Sequence, residues 1–307
     1  MIFTLWAMAC TTAHKKQRNR VPGGENSMPD ITVDSWGMLQ EELFKGSWND
    51  AIQRFRPPFV YRGLSDASYH LETSLMRLGG PFWSLEKHLL RNFRKYSRAQ
   101  GREEPDSFWH LMAVAQHHGL PTRLMDWTYS PYIALHFALA NIERFDLDGV
   151  IWRINYEQVH DRLPAELKEQ LSAEGAQAFT VDLLTGIGQE RPDCHAGEKT
   201  FHQYVETLTQ FDALARSEEF LLFFEPPSID ERIVNQYALF SVMPNPCRVI
   251  DDWLNLHPDL FRRIIIPAGL KWECRDKLDL CNITERVLFP GLDGLGSWLK
   301  RHYSPKT

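Results

Sequence analysis

The residues best equipped for chemistry crowd into one short stretch. Between Gln116 and Pro131 the chain carries His117, His118, Thr122, Arg123, Asp126, Trp127, Tyr129 and Ser130. An imidazole beside a carboxylate is the pairing used for proton transfer, and His117 or His118 could meet Asp126 across a turn. The same pairing also serves as a plain structural hydrogen bond. Metal binding is the other option, from His110, His117, His118, His136 and Asp126. His110 and His117 lie two helical turns apart, but no H-E-x-x-H accompanies them, and adjacent histidines leave a helix end in different directions. Core or hydrogen-bonding histidines outweigh a metal site on that pattern, and no metal is expected.

A second candidate lies upstream, in Phe59-Val60-Tyr61-Arg62-Gly63. A guanidinium at the end of an apolar strand can pair bidentately with phosphate or carboxylate. The alternative is that Arg62 ties a loop by a salt bridge. Neither G-x-G-x-x-G nor a Walker-type loop occurs, which argues against ordinary ATP and Rossmann cofactor sites. No G-x-S-x-G elbow occurs either, against an α/β-hydrolase.

Regular elements must position these groups. Leu111, Val114 and Ala115 form a helical stripe, and Gly119 sits where a C-terminal cap belongs. Thr122 to Thr128 reads as a short strand. Ser130-Pro131 then supplies an N-cap and a first helical residue for a helix apolar nearly all round, hence buried. Further helices are expected from Trp36 to Trp48 after Asp34-Ser35, from Leu85 to Ala99, after Pro105-Asp106-Ser107, and from Pro164 to Glu174. Ser228-Ile229-Asp230-Glu231 reads as a capping box opening a short helix through Gln236; Leu270 to Leu280 and Gly294 to Tyr303 are helical too. Strands are expected at Gly149–Ile154, Phe220–Glu225, Ala238–Met243 and 262–267, with 186–197 a loop. The pattern is that of one α+β domain, a mixed central sheet with a cleft, surrounded by helices.

Composition narrows the classes. The chain has 307 residues, 43% hydrophobic and 12% aromatic, with a net charge of −6. That is a folded protein with no overall attraction for nucleic acid or anionic membrane. Arg91, Arg94, Lys95, Arg98 and Arg102 could form a basic patch but read more simply as a solvated helix face. The five cysteines (Cys10, Cys194, Cys247, Cys274, Cys281) form no C-x-x-C pair, so reduced thiols in a cytoplasmic protein are expected. Residues 1–27 read as an extension or a misplaced start ahead of a single domain at 28–303: the apolar Met1 to Cys10 lacks a basic segment before it, and Lys15, Lys16, Arg18 and Arg20 come after. No apolar run approaches the ~18 residues that span a bilayer, so no membrane partner is expected.

Phe59 to Gly63, Gln116 to Thr128, Ser130-Pro131 and Ala134-Leu135-His136-Phe137-Ala138 together resemble the FRG domain, a family named for its Phe/Tyr-Arg-Gly signature. The resemblance continues through Arg232 to Gln236 with Leu239-Phe240, and through Asn282-Ile283-Thr284 with Leu288 to Leu295. It therefore runs from about Ile31 to Leu299. More distantly, Tyr61-Arg62-Gly63, then Thr128-Tyr129-Ser130, then Ala134 to Ala138 are similar in order to arginine-type ADP-ribosyltransferases, whose first-strand Arg grips the NAD phosphates. That likeness implies NAD as cofactor, with Arg62, His118, Asp126 and Gln236 as the catalytic set. It implies cofactor contacts from Tyr61, Arg62, Gly63, Gln116, His117, Thr122, Arg123, Trp127, Ser130 and Arg232. Arg62 would pair with the pyrophosphate, Arg123 and His118 with ribose or a second phosphate, and Trp127 or Tyr129 would stack on a ring.

The family's catalytic Glu is missing from its place. Gln236 occupies that position, and an amide supplies no charge to a developing cation and no general base; Glu225 and Glu231 are the nearby carboxylates. Against each role stands a packing role: a buried network of Arg62, Arg123 and Asp126, Trp127 in the core, Gln236 satisfying backbone. Three classes thus remain: an NAD-consuming transferase or glycohydrolase of toxin or phage-defence type in bacteria, with a protein or nucleic-acid acceptor; a nucleotide- or RNA-binding module without chemistry; and a metal-dependent hydrolase or nuclease.

Overall fold

Strands rich in Val, Ile, Phe and Trp dominate the computed structural model, which describes residues 30–98, 107–186, 201–215, 218–228 and 230–305, the side chains at 98 and 201–206 excepted. In chain order they are β1 (Ile31–Thr32), β2 (Trp48–Asn49), β3 (Arg54–Phe55), β4 (Phe59–Leu64), β5 (Met125–Thr128), β6 (Gly149–Asn155), β7 (Phe179–Thr180), β8 (Leu222–Glu225), β9 (Ala238–Val242) and β10 (Phe261–Ile266). β2 and β3 make a separate hairpin; the other eight form one sheet in the order β1-β10-β6-β4-β5-β9-β8-β7. The pairs β1–β10 and β7–β8 are parallel and the rest antiparallel. β6 is buried along nearly its whole length, as a strand must be when both faces of its sheet are covered.

The covering helices are α1 (Trp36–Phe44), α2 (Phe82–Arg98), α3 (Phe108–His117), α4 (Pro131–Ala138), α5 (Tyr156–His160), α6 (Ala165–Glu174), α7 (Val181–Thr185), α8 (Phe201–Ala213), α9 (Glu231–Asn235), α10 (Ile250–Leu254), α11 (Lys271–Leu280), α12 (Glu285–Leu288) and α13 (Leu292–His302). Alternation along the strands sorts the core. Phe223 joins Trp127, Trp152, Leu239 and α10's Trp253, while its neighbours Leu222 and Phe224 join Trp109, Met112 and Phe240 under α3. A further cluster packs Tyr61, Ile151 and Ile264 against α1, α4 and α11. This is the expected α+β architecture, a large mixed sheet surrounded by helices.

Local signals explain most ends. Ser35, Ser107 and Ser130 each accept a hydrogen bond from the backbone N–H three residues on, which satisfies a donor the first helical turn leaves orphaned. Gly119 has φ +80, the left-handed conformation that closes a helix such as α3 without a Cβ penalty. Elsewhere the expectations are corrected. The first helix ends at Phe44, because Gly46 at φ +72 turns the chain and Trp48 pairs with Phe55 in the hairpin. The strand expected from Thr122 begins only at Met125, since the Thr122 N–H donates to Ser74 Oγ and its carbonyl accepts from Leu75. The cap of α9 is Asp230, not Ser228: its carboxylate accepts from the Ile233 N–H at 3.1 Å.

Cys247 is disulfide-bonded, against the expectation of reduced thiols throughout; Cys274 and Cys281 are free. The extension at 1–27, Cys10, Cys194, Arg102, Pro105-Asp106, Ile229 and all but the first residue of the 186–197 loop lie outside the described residues. Among the described residues no helix is long and apolar enough to cross a membrane.

Two buried histidines tie this core to pH. His160 bridges α5 to the sheet: Phe223 N–H donates to Nε2 at 3.0 Å and Nδ1 donates to the Gln177 carbonyl at 2.9 Å. Burial lowers its pKa from 6.5 to about 4. His136 is lowered to about 4 as well, by burial and then by Arg275. The unfolded chain therefore takes up protons that the folded chain refuses, so stability complete above pH 6.5 is lost as pH falls towards about 4. Denaturant midpoints measured across that window should fall with pH, and His160→Gln should flatten the slope. A midpoint independent of pH there contradicts this account.

Candidate functional site

The sheet splits where β4 meets β5. Their ladder has a single partner pair, Tyr61 with Thr128, although β4 pairs along its full length with β6 and β5 with β9. In a continued ladder Asp126 would stand opposite Gly63. Instead the strands part, and a pocket of about 360 Å³ opens between residues 61–65 on one side and 126–128 on the other. Its remaining walls come from Gln116 and His117 of α3, Phe137 of α4, Tyr69, and Arg232, Ile233, Gln236, Ala238 and Phe240 of the α9–β9 region.

Gly63 is the hinge of this geometry. A Cβ there would lie 1.8 Å from the Ala134 carbonyl oxygen and 2.6 Å from the Ala138 N. Only glycine lets α4 sit directly on β4, which in turn holds Phe137 at the wall. At the end of β4, the fully buried Lys271 donates from Nζ to the carbonyls of Ser65 and Arg144 at 2.8 and 2.7 Å.

Arg62 is poorly compensated. Its Nη1 donates to the Asp126 carbonyl at 2.5 Å, filling the ladder position the split leaves open. Its Nε is buried without a partner, and among the described residues no carboxylate lies within ion-pair distance of the guanidinium. Burial lowers its pKa; the charge of Asp126 opposes that, and Arg77 adds to it. A desolvated cation in that state favours an incoming anion.

The other polar groups are held in place. The exposed Asp126 carboxylate accepts from Gln116 Nε2 at 2.9 Å, and Thr122 Oγ1 donates to Gln116 Oε1 at 2.6 Å. Gln236 Nε2 donates to the Leu288 carbonyl at 3.0 Å, and its own carbonyl accepts from Thr128 Oγ1. α12 is in turn fixed by Glu285, gripped bidentately by Arg301. Arg232 is exposed and stacks over the Phe289 ring, 5.1 Å from its centroid. His117 Nε2 is in direct contact with the Asp230 carboxylate. The carboxylate partner of His117 is therefore Asp230 and that of Gln116 is Asp126, in place of a His–Asp126 pair.

Of the residues the sequence nominated, the pocket brings together Tyr61, Arg62, Gly63, Gln116, His117, Asp126, Trp127, Arg232 and Gln236. Tyr61 and Trp127 do so as core residues: Tyr61 Oη donates to the Leu43 carbonyl, and Trp127 Nε1 donates to Ser241 Oγ. Thr122, His118, Arg123 and Ser130 do not line it. Thr122 acts through Gln116, Ser130 caps α4, and His118 stands exposed at the end of α3. Arg123 is spent elsewhere, bound through Nε and Nη2 to Glu86 and through Nη1 to Asp212 and the Pro244 carbonyl. Glu225 receives a hydrogen bond from Tyr129 Oη and does not line the pocket. Tyr69, Phe137 and Phe240 were not legible as site residues, since nothing local distinguishes a wall aromatic from a core one. Asp230 carried a signal, its capping position. Among the described residues no group of three His, Cys, Asp or Glu side chains is arranged to hold a metal ion.

Fold and site define an α+β domain whose split sheet exposes a poorly compensated arginine to a pocket. Residues 57–147 match the family model of the FRG domain, so this stretch of the chain is an FRG domain. The match contains β4, α3, β5 and α4, and with them Arg62, Gly63, Gln116, His117 and Asp126; the wall carrying Arg232 and Gln236 falls beyond it. No curated protein and no solved structure matches the chain.

Because backbone rather than a flexible side chain blocks a Cβ at position 63, Gly63→Ala should cost at least about 1–3 kcal/mol. Urea denaturation measures this. Wild-type stability in the variant would show that α4 does not depend on the close approach.

Proposed function

We propose that the pocket binds a phosphorylated nucleotide, NAD or a close relative, with Arg62 holding the phosphates, and that the domain cleaves or transfers the bound dinucleotide at its nicotinamide ribose. The observation that carries this reading is the Arg62 guanidinium, buried at Nε without a partner and beside open space, with no carboxylate among the described residues within ion-pair distance. A volume of about 360 Å³ lies in the range of small-molecule sites, and Arg232 offers a second cation from the facing wall. The order Arg on one strand, Thr128 leading from the next, and then a buried helix supports an ADP-ribosyltransferase-like use of the site.

Gln236 can hydrogen-bond a ribose hydroxyl but brings no charge. Asp126 is the carboxylate among the lining residues, and it supplies the negative field that a developing oxocarbenium ion needs. Consumption of NAD would suit a toxin or phage-defence role, with a protein or nucleic acid as acceptor. A binding module without chemistry would show the same affinity and no turnover.

Titration calorimetry with NAD tests the binding step. A charge-assisted contact is worth about 1.5–3 kcal/mol, so Arg62→Ala should weaken binding by roughly 10–100-fold. Nicotinamide release that persists in EDTA and disappears in Asp126→Asn supports the chemistry. Equal affinity of wild type and Arg62→Ala for NAD would refute the site, and release abolished only by EDTA would move the protein to the metal-dependent class.

A further inference from the structure

Resting on that reading, the pocket contains a pair it has not yet used. His117 ends α3 with its side chain 9% exposed and lines the pocket, its Nε2 against the Asp230 carboxylate. With the proton on Nε2, the nitrogen in contact with the carboxylate, Nδ1 keeps its lone pair. Among the described residues Nδ1 has no hydrogen-bond partner. Asp230 is itself fixed, because its Oδ1 accepts from the Ile233 N–H at 3.1 Å and so caps α9. Arg62, Arg232 and Asp126 line the same pocket, and His118 lies edge-on to the ring at 5.1 Å between centroids. An imidazole with one nitrogen oriented by a carboxylate and the other unoccupied beside a ligand-sized space has the arrangement of a general base.

We propose that His117, oriented by Asp230, is the proton acceptor of the reaction, acting on a hydroxyl nucleophile, either water or an alcohol of the acceptor. As the nucleophile's oxygen bonds to the anomeric carbon of the ribose, its proton passes to His117 Nδ1. The glycosidic C–N bond breaks, and its electron pair goes to the nicotinamide nitrogen, which loses its positive charge. No oxidant or reductant is consumed. The pair also answers the missing Glu: Asp126 supplies charge to the transition state while His117 supplies the base that Gln236 cannot.

The test uses the full chain with His117→Gln and Asp230→Asn. Asn caps a helix as well as Asp does, so Asp230→Asn removes the charge and leaves α9 in place. NAD cleavage followed across pH should show, in His117→Gln, a kcat lower by about 100-fold, unchanged NAD affinity by calorimetry, and loss of the acidic limb of the profile. In Asp230→Asn that limb should move. Nitrogen-15 NMR of the wild-type protein should show the Nε2–H tautomer at His117, which reports on the pair even if a variant fails to fold. An Nδ1–H tautomer, or an unchanged acidic limb in variants that still bind and cleave NAD, overturns the assignment of the base while leaving the pocket intact. Failure of the wild-type protein to bind NAD at all removes the pocket reading, and this one with it.

Discussion

The structure depends on one close contact, the seating of α4 on β4 at Gly63. Backbone meets backbone there with no space for a Cβ. With the helix that near, β4 continues its ladder to β6 but parts from β5 after a single pair. The gap then has to be made tolerable. Arg62 does this by donating to the Asp126 carbonyl that a neighbouring strand would otherwise satisfy. One residue thus repairs the sheet and leaves part of its own guanidinium unsatisfied.

Around that split the protein spends its strongest ion pairs on rigidity rather than on the pocket. Glu86 and Asp212 close on Arg123 in the interior, and Asp279 and Glu285 close on Arg301 behind α12. Breaking such buried pairs one partner at a time leaves an uncompensated charge, so both networks hold their segments firmly. The first fixes the approach to β5. The second fixes the carbonyl that receives Gln236. The pocket's own groups are tied by lighter hydrogen bonds, and Arg62 Nε keeps an unused donor among the described residues.

Arg123 shows why residue type alone misassigns roles. It lies in the same motif as Gln116, His117 and Asp126, and an arginine there is as suited to a phosphate as Arg62. It stands ahead of β5, and its side chain lies among carboxylates from α2 and α8, far off in the chain. His117 shows the converse. Its motif neighbour Asp126 was the obvious carboxylate, but the contact is with Asp230, more than a hundred residues later, where the start of α9 meets the end of α3.

What the sequence determined by itself were the local commitments: serine caps before three helices, the left-handed glycine closing α3, the apolar α4, the strands read at 149–154 and 262–267, and the grouping of Tyr61-Arg62-Gly63 with the central motif. The caps, the glycine, the helix and the strands are settled within a few residues by hydrogen-bonding geometry or side-chain periodicity, whereas the grouping came from the resemblance to the FRG domain. Only tertiary structure decided where β4 and β5 separate, which arginine faces the gap, which carboxylate meets His117, and that the short helix α9, with Gln236 held by α12, closes the far wall. Those outcomes turn on strand register and on contacts between distant segments, and a free energy shared among remote partners leaves no mark on any one stretch of chain.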